Sequence, residues 1–347
     1  MPKHHSSPLK CGVIGYGGAF DMGKKHLREM QLAGMVPTAV CEIDPGRLDI
    51  AKIDYPGIQI YTSVDDMLAK SDVEILAIIT PHNTHAPLAI KCLNAGKHVV
   101  CEKPFAITTE ECDAMIAAAR AHDLVVSTYH NRHWDGWILR ALDVIHNKNG
   151  IGEVYKIKLN MGSRGMPREW WRSFRTISGG ILYDWGVHLL EYALQLLPNQ
   201  KVKEVSGYSK NGFWVSQADT APWKGDPNED EGRLIARMDS GAWIELMITT
   251  LDSVTSPRFI EVIGTAGAYE IEWNMWRHTR WNGDVKVIEE GRHPPDEGKQ
   301  LYQNINDHIM HGAELVITPE WARRMIHIID LANRSATEGR ALPVKYG

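Results

Sequence analysis

Three side chains in this sequence have the types and settings for moving a proton. Asp184 and His188 stand four residues apart in Ser178-Gly179-Gly180-Ile181-Leu182-Tyr183-Asp184-Trp185-Gly186-Val187-His188, which opens on glycines and runs into an apolar segment over 185–197. On a helix that spacing puts both on one face. Histidine titrates near working pH and a neighbouring carboxylate can orient it, so the pair suits general acid–base chemistry. The same pattern also describes a capped core helix with a tolerated histidine. The third residue is Lys103, in Glu102-Lys103-Pro104 at the end of an apolar run. Proline fixes the backbone after it and restricts Lys103 to extended geometry. A lysine at a strand end is ordinarily a surface residue. At the rim of a nucleotide crevice its charge gains a use, positioning a substrate hydroxyl and lowering the pKa of a neighbouring group.

The first third of the chain supplies such a crevice. An apolar strand over 9–14 runs into Gly15-Tyr16-Gly17-Gly18, with Gly23 further on and helical character over 24–32. Backbone N–H groups in a tight turn, with the partial positive charge of a helix N-terminus, suit a diphosphate. The spacing departs from a strict G-x-G-x-x-G, because Ala19-Phe20-Asp21-Met22 widens the turn. A second strand over 35–41 ends at Glu42, 19 residues past Gly23. An acid there can bind both ribose hydroxyls of an adenosine and repels a 2′-phosphate, which favours NAD over NADP. Asp44 competes for this role, and either acid also reads as a solvated strand end.

The alternation continues. Helices are expected over 47–53, 63–69, 86–94 and 108–122, and strands over 58–61, 73–79, 98–101 and 124–129. The run over 73–79 is nearly all apolar, as in a strand covered on both faces. Thr108-x-x-Glu111 forms a capping box. Such alternation predicts a doubly wound parallel sheet, with ligands beyond the carboxyl ends of its strands. The glycine turn, Glu42, residues 80–85, residues 102–104 and residues 129–132 all fall at those ends.

From residue 133 the pattern changes. A linking helix is expected over 137–146, then strands over 154–161, 202–210, 232–238, 242–251, 258–264, 267–273 and 284–289, as a mixed or antiparallel sheet with helices on one face. Residues 214–231 and 291–300 read as loops, the former placed to reach the substrate or a neighbouring subunit. Thr318-Pro319-Glu320 opens a final helix that Gly339 ends.

The chain has 347 residues, 44% of them hydrophobic and 23% charged, enough for two domains with a sizeable core. A net charge of −5 leaves no broad basic field for nucleic acid. No apolar run approaches 18 residues, so no membrane span is expected. Residues 1–8 lack the apolar core of a signal peptide and read as a flexible lead-in. Five cysteines, with no CxxC, fit buried reduced thiols in a cytoplasmic protein. The 16 histidines form no HExxH or other ligand spacing, so no metal is expected. Eight of the 12 tryptophans lie between Trp134 and Trp243, which suits stacking on a ring-shaped ligand as well as core filling.

Taken together, the glycine turn, Thr80-Pro81 with His85, Glu102-Lys103-Pro104, and Gly179-Gly180-x-x-x-Asp184-x-Gly186-x-His188 resemble the Gfo/Idh/MocA family (glucose-fructose oxidoreductase, inositol dehydrogenase, rhizopine catabolism). The resemblance covers roughly residues 9–344. It implies an α/β protein: an N-terminal Rossmann domain, placed over 1–132, and a C-terminal α+β domain over 133–347 with a large, mostly antiparallel open-faced sheet. The helix and tail over 318–347 would pack back toward the first domain. It further implies a cytoplasmic homo-oligomer, dimer or tetramer, joined through that sheet.

By the same resemblance, Lys103 matches the lysine on the reacting hydroxyl, Asp184 the acid that positions substrate or tunes the base, and His188 the acid/base. Gly15, Gly17, Gly18, Ala19, Phe20, Glu42, Thr80, Pro81, His85, Glu102, Lys103, Asn131, Trp171 and Arg172 fall on the cofactor side. Arg132 and Arg168 join Lys103, Asp184 and His188 on the substrate side. The activity implied is hydride transfer between NAD and a secondary hydroxyl of a sugar, glycoside or cyclitol. Two other readings use the same residues differently: a redox-neutral hydrolase or lyase working through transient oxidation, and a non-catalytic NAD-sensing regulator.

Overall fold

The computed structural model describes residues 7–254 and 256–345; most of the lead-in expected over 1–8 lies outside them. Two compact units divide the chain. One joins the residues up to Asn131 with Gly298–Arg324, and the other joins Arg132–Glu297 with Met325–Gly347.

The first unit alternates as its sequence requires: β1 (Lys10–Ile14), α1 (Met22–Leu32), β2 (Val36–Cys41), α2 (Pro45–Asp54), β3 (Gln59–Tyr61), α3 (Val64–Lys70), β4 (Ile75–Ile78), α4 (His85–Asn94), β5 (His98–Cys101), α5 (Thr109–Ala121) and β6 (Val126–Thr128). All six strands are parallel, in the order β3-β2-β1-β4-β5-β6. The order reverses between β1 and β4, the switch point at which such sheets bind ligands. Every residue of β4 is fully buried, which explains its unbroken apolar run. The caps follow the sequence. Thr108 and Glu111 form the expected capping box on α5, and Asp44 accepts from the Gly46 N–H ahead of α2, with Pro45 in its first turn.

The second unit and the chain's end supply α6 (Gly136–Leu142), β7 (Val154–Gly162), α7 (Arg175–Ser178), α8 (Gly186–Leu196), β8 (Val202–Lys210), α9 (Phe213–Gln217), β9 (Glu231–Met238), β10 (Trp243–Thr249), β11 (Arg258–Gly264), β12 (Gly267–Glu272), β13 (Met275–Asn282), β14 (Val285–Arg292), α10 (Gln300–His311), α11 (Pro319–Glu338) and β15 (Leu342–Pro343). Nine strands form one sheet, ordered β14-β13-β12-β11-β7-β10-β9-β8-β15. Among the described residues of this sheet, only β7 and β10 pair in parallel. Along β9, Gly232, Leu234, Ala236 and Met238 are buried, while Glu231, Arg233, Ile235 and Arg237 point the other way and leave an open face. All of α8 is buried against the covered face.

Four expectations change. Strand β13 is not expected, because Arg277, His278, Thr279 and Arg280 run together between Trp276 and Trp281; its charges are met by β14, as in the Arg277–Glu290 pair at 2.5 Å. Helix α10 was not read either. Its buried residues form the stripe Leu301, Tyr302, Ile305 and Ile309 on a mostly polar helix, and it belongs to the first unit. The expected 214–231 loop is folded: α9 and a 3₁₀ turn (Pro222–Gly225) pack around the buried Trp214, Ala218 and Trp223. The tail expected to return to the first domain divides, and from Met325 onward it lies with the second unit, where β15 pairs with β8.

Candidate active site

In the first unit the glycine turn is held at three points. Gly15 has φ +103°, donates to Cys41 O at 2.8 Å, and leaves only 2.3 Å between an added Cβ and Ile79 O. An L side chain there would meet both strain and a clash. A Cβ at Gly17 would meet nothing within 4 Å. Helix α1 begins at Met22, two residues earlier than the sequence predicts, so Gly23 lies inside it. A Cβ at Gly23 would sit 2.6 Å from the Tyr16 ring and 2.8 Å from Gly15 O. A tight bend, an open approach and helix-on-strand packing therefore fall at Gly15, Gly17 and Gly23, a wider spacing than G-x-G-x-x-G. Gly17, Gly18, Ala19 and Phe20 are exposed.

Glu42 lies against this turn. Its carboxylate accepts from Tyr16 N at 2.6 Å, Ile43 N at 2.7 Å and Asp44 N at 3.1 Å. A carboxylate offers about four lone-pair sites, so capacity remains for a ribose hydroxyl. Asp44, the competing acid, is occupied as the α2 cap. Sequence reasoning missed Arg47. Its Nε donates to Tyr16 O at 2.9 Å and its Nη2 reaches Asp21 at 3.2 Å, which brings a cation onto Gly18. Its place in the first turn of α2, just past an acidic strand end, was the available signal.

The ends of β4 and β5 are tied by His85, which is fully buried. Its ring nitrogens lie 2.7 Å from Pro104 O and 2.9 Å from Thr80 O. Burial holds its pKa below the ordinary histidine range, although both carbonyls favour the charged ring. Thr80 also bonds Thr84, at 2.6 Å. Glu102 meets His26 at 3.1 Å and accepts the Lys103 N–H at 2.8 Å. Asn131 packs against Gly298, where an added Cβ would stand 3.2 Å from it.

In the second unit, Gly179 (φ +89°) and Gly180 (φ +128°) turn the chain into α8. The buried Glu229 carboxylate fills the hollow beneath Gly180, accepts from Ile181 N at 3.0 Å and pairs with Arg175. Asp184 and His188 do not share one helix as expected. Asp184 closes a 3₁₀ turn (Ile181–Tyr183), and α8 starts only at Gly186. Gly179 and Gly180, both at positive φ, precede the 3₁₀ turn, so no continuous helix runs through them into α8. Arg172 approaches Asp184 at 3.5 Å, with its guanidinium 5.1 Å from both the Trp170 and Trp171 rings. His188 is only 5% exposed, and the Trp185 ring stands 5.5 Å from it at 61°. Arg132 lies over Trp185 at 4.9 Å and pairs with Asp135 at 3.1 Å. Tyr192 donates to Asp135 at 2.5 Å. The Arg168 side chain is exposed, and its carbonyl accepts from Ser173. The sequence also gave no hint of Glu191, fully buried one turn after His188, which is bonded by His133 at 2.5 Å and Gln195 at 2.7 Å.

Two family models cover nearly the whole chain. The NAD-binding Rossmann fold of the Gfo/Idh/MocA oxidoreductase family matches residues 9–130, and the family's C-terminal alpha/beta domain matches residues 147–346. The chain belongs to the Gfo/Idh/MocA oxidoreductases. An uncharacterized oxidoreductase of Schizosaccharomyces pombe is 35% identical over 192 residues, which is 55% of this Gfo/Idh/MocA chain and 52% of the relative. The chain spans about half the length of several curated relatives it matches. The scyllo-inositol 2-dehydrogenase (NADP(+)) IolW of Bacillus subtilis is 23% identical over 97% of this chain and 96% of its own. An NAD-binding protein from Listeria innocua has a similar solved structure, with a TM-score of 0.81, 25% identity and 97% of each chain covered. Among the described residues no helix is long and apolar enough to cross a membrane, and no three His, Cys, Asp or Glu side chains gather as a metal site.

Proposed function

We propose that this oxidoreductase moves hydride between NAD and a secondary hydroxyl of a sugar, glycoside or cyclitol. The observation that carries the proposal is the second unit's polar cluster: a buried His188 set against Trp185, with Asp184 beside it in sequence and anchored by Arg172. A dinucleotide fits the first unit, since Gly17 leaves an open cradle where a diphosphate can approach backbone N–H groups. Residues 15–20 with the start of α1 would hold the diphosphate, Glu42 a ribose, and Thr80, Pro81, His85, Glu102 and Asn131 the nicotinamide side. The bound cofactor supplies the redox chemistry.

The protein's residues do the rest. His188 accepts the carbinol proton as the C–H bond gives up its hydride. Lys103 sets a positive charge against the alkoxide that develops. Asp184, oriented by Arg172, holds a flanking hydroxyl or the imidazole. Arg132 and Arg168 contact the substrate, and Trp171 and Arg172 belong to the cofactor side. NAD is favoured over NADP because the Glu42 carboxylate would repel a 2′-phosphate. The name of the Bacillus relative specifies NADP(+), so both cofactors belong in the test. The open sheet face is the surface for a homo-oligomer, which sedimentation would count.

The deciding experiment incubates the protein with NAD or NADP and a panel of inositols, aldoses and glycosides, following absorbance at 340 nm. NADH formed with one stereochemical class is the expected result. Silence across the panel, with NAD shown to bind, overturns the dehydrogenase; glycoside turnover without net NADH replaces it with a redox-neutral reaction.

A further inference from the structure

Behind Lys103 lies a set of buried polar contacts that the proposed chemistry does not use. His26 projects from α1, the helix that the glycine turn feeds, and is fully buried. Its Nδ1 stands 2.5 Å from the Tyr302 hydroxyl, and its Nε2 stands 3.1 Å from one oxygen of Glu102. The other Glu102 oxygen accepts the Lys103 N–H at 2.8 Å. Tyr302 comes from α10 and is fully buried as well. The Tyr129 ring lies 4.1 Å from the imidazole, and its hydroxyl is engaged by Glu29 at 2.6 Å. A buried imidazole is costly unless both nitrogens are satisfied. Here both are, by groups from two different elements, so the ring has one orientation available.

We propose that His26 is a positioning residue for Lys103: oriented by Tyr302, it holds the Glu102 carboxylate where that carboxylate fixes the Lys103 backbone, joining the helix behind the diphosphate turn to the lysine. What Lys103 does in the reaction rests on the dehydrogenase reading. The linkage itself does not.

The electrostatics agree with the geometry. Burial by itself would raise the Glu102 carboxyl, but the bond and attraction from His26, aided by Lys103, outweigh it and hold the pKa at about 2. Without the imidazole, burial is left largely unopposed and the carboxyl rises. A protonated Glu102 is the poorer acceptor for the Lys103 N–H. The other ionisable groups around the pair are Glu29, Tyr129, Tyr302, Cys101, His85 and Lys103. All stay in place when His26 is replaced.

The test compares His26→Asn, Tyr302→Phe and the double variant His26→Asn/Glu102→Gln with the wild type. In His26→Asn, kcat should fall about 10- to 100-fold, the scale of losing an outer supporting partner. Its kcat/KM profile should gain a second acid limb, beyond the one that a histidine base gives the wild type, and the double variant should lose it. Amide hydrogen exchange at Glu102, Lys103 and Phe105 should quicken in His26→Asn and in Tyr302→Phe, the latter keeping the ring that fills the space. A purely structural His26 would lower the melting temperature while leaving both the pH profile and the exchange at Lys103 unchanged, and that result overturns the proposal. If His26→Asn does not fold, unchanged exchange in Tyr302→Phe overturns it equally. Should the wild type turn over no polyol, the dehydrogenase reading falls, and the exchange rates alone decide the linkage.

Discussion

Gly17 and Gly180 each stand in a turn that leads toward a helix, α1 in the first unit and α8 in the second. At Gly17 no atom lies within 4 Å of where a side chain would begin; at Gly180 that point is 2.9 Å from a Glu229 oxygen. The first turn leaves that space open, with Gly17 and Gly18 exposed. The second is already filled by the protein's own buried carboxylate, which accepts the Ile181 N–H and pairs with Arg175. Similar glycine-led sequences thus serve different ends. One leaves an open hollow, and the other is packed solid on the approach to α8 and His188. The predictions below test whether that division holds.

The largest effect should come from the end of the filled turn. Replacing His188 with Asn should reduce kcat about 100- to 10,000-fold, the usual worth of general acid–base assistance. NAD affinity, measured by titration calorimetry, should stay within about twofold, since RT sets a twofold change at only about 0.4 kcal/mol. Turnover that survives nearly intact would remove His188 from proton transfer and leave α8 a structural helix.

Next is Gly180→Ala. The backbone at φ +128° strains an L residue by about 1–3 kcal/mol, and the methyl would press on Glu229 for a further 1–3 kcal/mol or so. The urea midpoint should drop accordingly, with no change in the affinity for NAD. A variant as stable as the wild type would mean that Glu229 moves aside easily, and the contrast with Gly17 would weaken.

Two carboxylates, the partly buried Glu102 and the buried Asp135, sharpen the comparison, because the two units shift them in opposite directions. Glu102 is held down at about 2, whereas burial pushes Asp135 up to about 6 against the pull of Tyr192 and Arg132. The signs of the resulting stability differ. Glu102 contributes stability that is present above its unfolded value near 4.5 and is lost as pH falls toward 2. Asp135 binds its proton more tightly when folded, so its contribution is complete below 3.8 and is lost as pH rises through 6. Between pH 4 and 6.5 the wild type should therefore lose stability relative to Asp135→Asn, by roughly 3 kcal/mol at most. Urea melts of both proteins at three pH values would measure it. A difference independent of pH would show that Arg132 keeps Asp135 ionised throughout.

Much of the first unit could be read from its sequence because the rules that build it are local. Apolar runs such as 75–78 follow from burial on two faces, and the capping box at Thr108 follows from a four-residue pattern. The candidate site's outline was legible for the same reason: strand ends, glycines and Glu102-Lys103-Pro104 are marks within single elements. What escaped notice depends on partners far along the chain. Tyr302 reaches His26 across 276 residues, and Glu191 meets His133 across 58. Neither pair leaves a pattern in either segment alone. Strand β13 escaped differently, since its charges look solvated until β14 is known to lie beside it. The break between Asp184 and α8 escaped because a four-residue spacing reads the same whether its first member lies on a helix or closes a 3₁₀ turn ahead of one.

The smallest predicted effect separates the two turns most directly. The backbone at Gly17 lies outside the left-handed region, and an added methyl meets no protein atom within 4 Å. Gly17→Ala should therefore fold at least as well as the wild type, gaining about 0.4–1 kcal/mol because the unfolded chain loses freedom. The same methyl would stand where a diphosphate must approach the backbone. NAD affinity should weaken about tenfold, a loss of about 1.4 kcal/mol. The diagnostic is the opposition of signs: stability rises while affinity falls. An unchanged affinity would show that the diphosphate does not use this opening, and the dinucleotide would then have to be held by the exposed segment at 18–20 and the start of α1 instead.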